Sequence, residues 1–165
     1  MILLRIKDVK SFMGNVLARS VFDDWLISEF DVVTSHQFYV SGRINKKWYS
    51  AEELEALSGR EYMYWSEVRG TAFDWIKGKK TPTSMHIVLL ADENRMSRVY
   101  EATDTNLARE TLSGLFLNIK FEKEELTITT GTSLTVFSMD KSIEQSWDRQ
   151  LIAFLSQMEI EFEQL

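Results

Sequence analysis

The strongest constraint on this chain is the hydrophobic patterning of its last third, residues 112–162. LFLNIKF runs into the turn residues EKE, LTITT into Gly131-Thr132, and SLTVFSM into Asp140, which reads as a three-strand meander. Ile143, Trp147, Leu151 and Phe154 then recur at spacings of four, four and three, the mark of one buried helical face. Met158, Ile160 and Phe162 alternate with Glu159, Glu161 and Glu163, the period of a half-buried strand. Meander, helix and closing strand describe a packed α+β unit. They carry no recognisable chemistry.

The rest of the chain is consistent with that class. MILLRIK reads as a strand, and Asp8 as the N-cap of a helix, because its carboxylate can accept the free amides of the first turn. Val9, Phe12, Met13, Val16, Leu17 and Val21 fall on one face of that helix. Gly14 lies inside it, which suggests close contact with a neighbouring element. Two strands follow, about 27–34 and 37–44, with a turn near Ser35-His36, then a turn at Asn45-Lys46-Lys47 and a short strand at Trp48-Tyr49. Ser50 with Glu53 makes a capping box for a short helix stopped by Ser58-Gly59. A second helix spans 62–77, with Gly78 at its end. MHIVLLAD is a buried strand, Asp92-Glu93-Asn94 a turn, and residues 96–103 its returning partner.

About eight strands and four helices result, with the strands clustered rather than alternating with helices. That favours a mainly antiparallel α+β fold in a single domain, 1–165. The order of elements also admits two similar small lobes, 1–49 and 84–165, joined by the helical segment 50–83 and its basic joint KGKKTPTS.

Composition narrows the function classes. The absence of Cys removes disulfides, thiolate nucleophiles and cysteine metal sites, and fits a reducing interior. With no signal-peptide pattern at the start and no apolar run long enough for a membrane span, a cytoplasmic location is expected. Charge is uneven: residues 1–83 carry 12 basic and 11 acidic side chains, residues 84–165 carry 7 and 14. Only the first half can offer the positive potential that nucleic acid requires.

The residue pattern defines no reaction centre. The two histidines, His36 and His86, form no metal or catalytic spacing, and no Gly-x-Ser-x-Gly elbow or Gly-rich phosphate loop is present. The carboxylate pairs Asp23-Asp24 and Glu52-Glu53 are adjacent, so on a helix they diverge by about 100° and cannot share one face as a dyad. No catalytic residue, metal or cofactor is assigned.

The unusual stretch is 43–80, where aromatic and basic residues interleave. Arg43, Lys46, Lys47 and Trp48 form one group; Arg60, Tyr62, Tyr64, Trp65, Arg69, Trp75, Lys77, Lys79 and Lys80 form a looser one. Trp, Tyr and Arg dominate protein-binding hot spots. Aromatic platforms beside cations also hold single-stranded nucleic acid. Helical aromatics at these spacings serve equally as core. The expectation is a non-enzymatic interaction or regulatory domain, acting on a protein partner or on a second copy of itself. Candidate binding residues are Arg43, Lys46, Lys47, Trp48, Tyr64, Trp65, Arg69, Trp75, Lys79 and Lys80. Single-stranded nucleic acid is the alternative, weakened by Glu61, Glu67 and Asp74 among the cations; a small hydrolase built on carboxylates is a further one.

LLRIKDVKSFM at the start, FDDWLISEF at 22–30, SGRIN at 41–45, LTITTG and the helix-strand end resemble a small family of unassigned activity from clostridial-type Gram-positive bacteria. Phe12, Phe22 and Trp25 look like its packing residues, and Asp8, Gly42 and Asn45 like its cap and turn residues. The resemblance implies a bacterial cytoplasmic protein and transfers no catalytic or binding role.

Overall fold

Alternation along 112–134 builds the central hairpin. The computed structural model describes residues 1–78 and 80–165. In it β5 (Leu112–Glu122) and β6 (Glu125–Leu134) pair from Leu112↔Leu134 down to Glu122↔Glu125. The reversal falls on Lys123 and Glu124, with φ of +52° and +64°. Two positive φ values in a two-residue loop match the right-handed twist of the strands it joins.

Around this hairpin the chain lays down β1 (Leu3–Ile6), β2 (Leu26–Val33), β3 (Gln37–Ser41), β4 (Ser84–Leu90) and β7 (Phe162–Gln164). Among the described residues these seven strands form one antiparallel sheet in the order β3-β2-β4-β5-β6-β1-β7. Five helices accompany it among the described residues: α1 (Val9–Leu17), α2 (Ala51–Ala56), α3 (Trp65–Ile76), α4 (Glu93–Glu101) and α5 (Ser142–Gln157). The class is α+β, close to the element count expected from the sequence.

One face of the sheet supplies the core. Leu4, Ile87, Leu89, Leu115, Leu117, Ile119, Leu126 and Ile128 are buried against Phe12, Val16, Trp65, Trp147, Leu151 and Leu155 of the helices. On β2 the inward residues are Ile27, Phe30 and Val32, because a bulge between Ile27 and Glu29 inserts one residue and resets the period. The other face is polar: Tyr39, Asp31, His86, Lys120, Thr127, Arg5 and Glu163 stand in register across all seven strands.

Several elements depart from the sequence reading. Residues 96–103 are not a strand; Asp92 accepts a hydrogen bond from the Arg95 amide at 2.9 Å and starts α4, whose Met96, Val99 and Tyr100 pack inward at helical spacing. Gly131-Thr132 is not a turn, and β6 runs through it opposite Phe116 and Leu115, so the expected third strand of the meander does not form. Trp48 belongs to a 3-10 turn, Lys46–Trp48, capped by Asn45, rather than a strand. The second helix starts at Trp65, three residues later than expected. α1 ends at Leu17, and Val21 packs on the core from the following turn. Gly14 makes no close contact, for a Cβ there would meet nothing within 4 Å. The closing strand is β7, beginning at Phe162 after Glu159 turns the chain with φ +55°.

Candidate functional site

The site-building residue is Gly42. Its amide donates to the Ser28 carbonyl at 2.8 Å, and its own carbonyl accepts from the Met63 amide at 2.8 Å. A Cβ at this position would lie 1.7 Å from the Ile27 carbonyl oxygen, so only glycine permits the crossing. The crossing draws residues 61–64 over the end of the sheet, where Tyr64 bridges Leu26 and Tyr62 bridges Arg43.

The two bridges set Tyr62 and Tyr64 two residues apart along one edge, with Arg60 two residues before them. The Arg43 guanidinium sits 5.2 Å from the Tyr62 ring centre and donates to its hydroxyl at 3.1 Å. Arg60 lies 4.3 Å over the Tyr64 ring and donates to Glu67 at 2.9 Å. Glu61 pairs with Lys46 at 2.7 Å and with Arg43 at 3.8 Å. The hydrogen bond from Lys46 holds the Glu61 carboxyl below its ordinary value, and that from Arg60 does the same for Glu67 against the opposing effect of burial. The cations of this stretch are therefore largely engaged by carboxylates.

Beside this wall opens a cleft of about 460 Å³. Leu26, Leu90 and Phe116 stand in one register row and form its floor, on the face opposite the core residues with which they alternate. Its far wall is the start of α4, from Asp92 to Met96. Asp92 is occupied as the helix cap and Glu93 by Arg109 at 2.5 Å. Neither histidine lines this cleft: His36 bonds Ser35 in the β2-β3 turn at 2.9 Å, and His86 lies mid-sheet on the polar face. Among the described residues no three His, Cys, Asp or Glu side chains gather as metal ligands.

The structure divides the candidate residues. Arg43, Lys46, Lys47, Trp48 and Tyr64 lie together at this end of the sheet, and Trp48 is 80% exposed. Trp65 is removed from any external site: it is fully buried, and its indole N–H donates to the Val16 carbonyl at 2.7 Å. Arg69 is bound into the fold by two hydrogen bonds to Asp23, at 2.7 and 3.1 Å. Trp75 stacks on Phe38 at 4.7 Å between ring centres and 12° between planes, and packs against the core. These three sit on α3 because helical spacing turns them toward α1 and the sheet. Lys80 is exposed beside a separate groove along α1, and Lys79 lies outside the described residues.

The same end of the sheet carries a feature the sequence reading placed inside a strand. After β6 stops at Leu134, Val136, Phe137 and Met139 project from a loop, Phe137 with 94% and Met139 with 85% of its surface exposed. The loop is tied at both ends: the Thr135 amide donates to the Thr111 carbonyl at 2.8 Å, and Thr105 donates to Asp140 at 2.6 Å. Hydrogen bonds from Ser142 and Thr105 lower the Asp140 carboxyl's pKa. One signal was legible: Val136 and Phe137 are adjacent, which breaks the alternation a half-buried strand would keep.

No helix is long and apolar enough to cross a membrane among the described residues. Comparison with curated proteins and with solved structures returns no match. A model described as "Family of unknown function (DUF5721)" matches residues 15–163, from the last turn of α1 to the start of β7. The chain belongs to this family, DUF5721.

Proposed function

We propose that this protein is a non-enzymatic interaction domain that self-associates through the end of the sheet bearing Trp48 and the 136–139 loop. The observation that carries the reading is the exposure of Trp48, Phe137 and Met139, at 80, 94 and 85%, at one end of the sheet. Burying each such side chain returns about 1.5–3 kcal/mol. Three together, with the cleft between them, are enough to anchor an interface whose energy is concentrated in a few residues.

A second copy is the partner that the charges favour. Trp48 is flanked by Arg43, Lys46 and Lys47 with Glu61 among them, on balance positive, whereas the loop lies beside Asp104, Glu110, Asp140 and Glu144 with Arg109 and Lys141 among them, on balance negative. The two flanks lie on opposite sides of β2, β4 and β5, roughly 20 Å apart at the usual strand spacing. A two-fold axis between them would set each basic flank against the partner's acidic one, as a self-complementary interface requires. Single-stranded nucleic acid is less well served, because a phosphate chain needs an unbroken cationic track and Glu61 and Glu67 interrupt the one formed by Arg43, Lys46 and Arg60.

Light scattering over a concentration series tests this. We expect a dimer that Phe137→Ser and Trp48→Ala each convert to monomer. Both side chains are exposed, so stability should stay within about 0.5 kcal/mol. A wild-type chain that stays monomeric to about 100 μM, where even an affinity near −5.5 kcal/mol would show, overturns the reading.

A further inference from the structure

Trp25 packs on Trp147 and Phe154 with ring centres 5.8 and 5.9 Å away, and the three line a surface pocket of about 260 Å³ between α4 and α5. Trp25 and Trp147 form its base, while Arg95, Arg98, Gln150 and Gln157 reach it from the two helices. Both charged residues lining it are cations, in a chain of net charge −6. The Arg95 guanidinium sits 4.2 Å over the Trp25 ring, and its Nη2 donates to Asp24 at 3.0 Å.

Among the described residues, two donors here have no acceptor. The Arg95 Nη1 and the indole N–H of Trp25, a residue 1% exposed, are both buried and unpaired. Buried N–H groups are almost always paired, so two orphans on stacked residues of one pocket need an explanation. Trp65 and Trp147 show the contrast, since each places its indole N–H on a backbone carbonyl, at 2.7 and 3.1 Å. The pocket is rich in donors and holds no carboxylate of its own. What it lacks is an acceptor: an anion there meets the two guanidinium charges, and a rotation of the Arg95 side chain brings its buried, unpaired Nη1 to it.

We propose that this pocket binds a small organic anion, its carboxylate or phosphate held by Arg95 and Arg98 and its apolar part against Trp147 and Phe154. A guanidinium stacked on an indole keeps its edge available for a planar or tetrahedral anion. The volume admits about nine water-sized groups, which limits the ligand to a fragment rather than a nucleotide or peptide. The pocket lies between α4 and α5, shares no lining residue with the cleft, and does not depend on the self-association reading.

The test follows the Trp25 indole N–H and the Arg98 side chain by NMR in ¹⁵N-labelled protein at constant ionic strength. Inorganic phosphate and benzoate are titrated separately, with benzylamine as the cationic control. A saturable shift of the Trp25 resonance with phosphate or benzoate, absent with benzylamine, is the expected result, and whichever anion binds names the headgroup. Arg98→Gln, an exposed position whose change leaves the fold intact, should weaken binding about tenfold. Asp24→Asn, which frees Arg95 from its competitor, should tighten it. No saturable shift with either anion, an equal shift with benzylamine, or unchanged affinity in Arg98→Gln overturns the proposal.

Discussion

Two glycines show how far a single residue's meaning depends on what surrounds it. Gly14 sits in α1 with nothing within 4 Å of where its Cβ would be. Its only effect is the entropy of a helical glycine, so Gly14→Ala should stabilise the protein by about 0.5–1 kcal/mol in urea unfolding. Gly42 is the opposite case. A methyl group there would overlap the Ile27 carbonyl, and the crossing that positions Tyr62 and Tyr64 could not close. Gly42→Ala should cost on the order of 3 kcal/mol, the upper end for overpacking. It should also release the cleft wall, seen as faster amide exchange at Met63. A cost under about 1 kcal/mol would show that the crossing relaxes easily.

At the scale of elements, two connections carry the testable physics. The β5–β6 reversal uses Lys123 and Glu124 in a conformation that side chains with a Cβ resist by about 1–2 kcal/mol each. Replacing the pair by Asn-Gly should raise stability by about 1 kcal/mol or more without altering the register, checked by the unfolding midpoint. The start of α3 depends on Glu67, which accepts from the Tyr64 amide at 2.7 Å and from Arg60 at 2.9 Å. These contacts depress its pKa, so the stabilisation is present above the ordinary carboxylate value and is lost as pH falls through the lowered one. Glu67→Gln should therefore cost up to about 1 kcal/mol at neutral pH and show a shallower loss of stability on acidification. An unchanged acid limb would mean that Glu67 contributes nothing to it.

For the whole molecule, the asymmetry is between its two ends. The end with the β2–β3 and β5–β6 turns closes in tight, polar reversals. The opposite end gathers the Gly42 crossing, the cleft, the start of α4 and the apolar loop. If the Trp48 and 136–139 flanks meet through opposite charges, raising salt from about 50 to 500 mM should weaken association, because the Debye length falls to a few ångströms. Reversing Lys46 and Lys47 to Glu should weaken it further at low salt. Association that strengthens monotonically with salt would assign the interface to apolar contact alone.

What the sequence determined by itself is whatever local spacing and capping encode: the Asp8 cap and apolar stripe of α1, the Ser50–Glu53 box of α2, the four-four-three spacing of α5, and the buried run of β4. The interleaving of aromatic and basic residues over 43–80 is also a local signal. Tertiary structure alone decided which of those residues face outward. Trp48 and Trp65 are the same side chain in the same segment, and one ends in water while the other is sealed beneath α1. It decided too that β6 would run past Gly131, leaving Phe137 without a neighbouring strand, and that Asp92 would cap a helix instead of turning a hairpin. Periodicity tells which residues share a face. Which element covers that face depends on partners distant in the chain, and so does every site that the folded molecule leaves open.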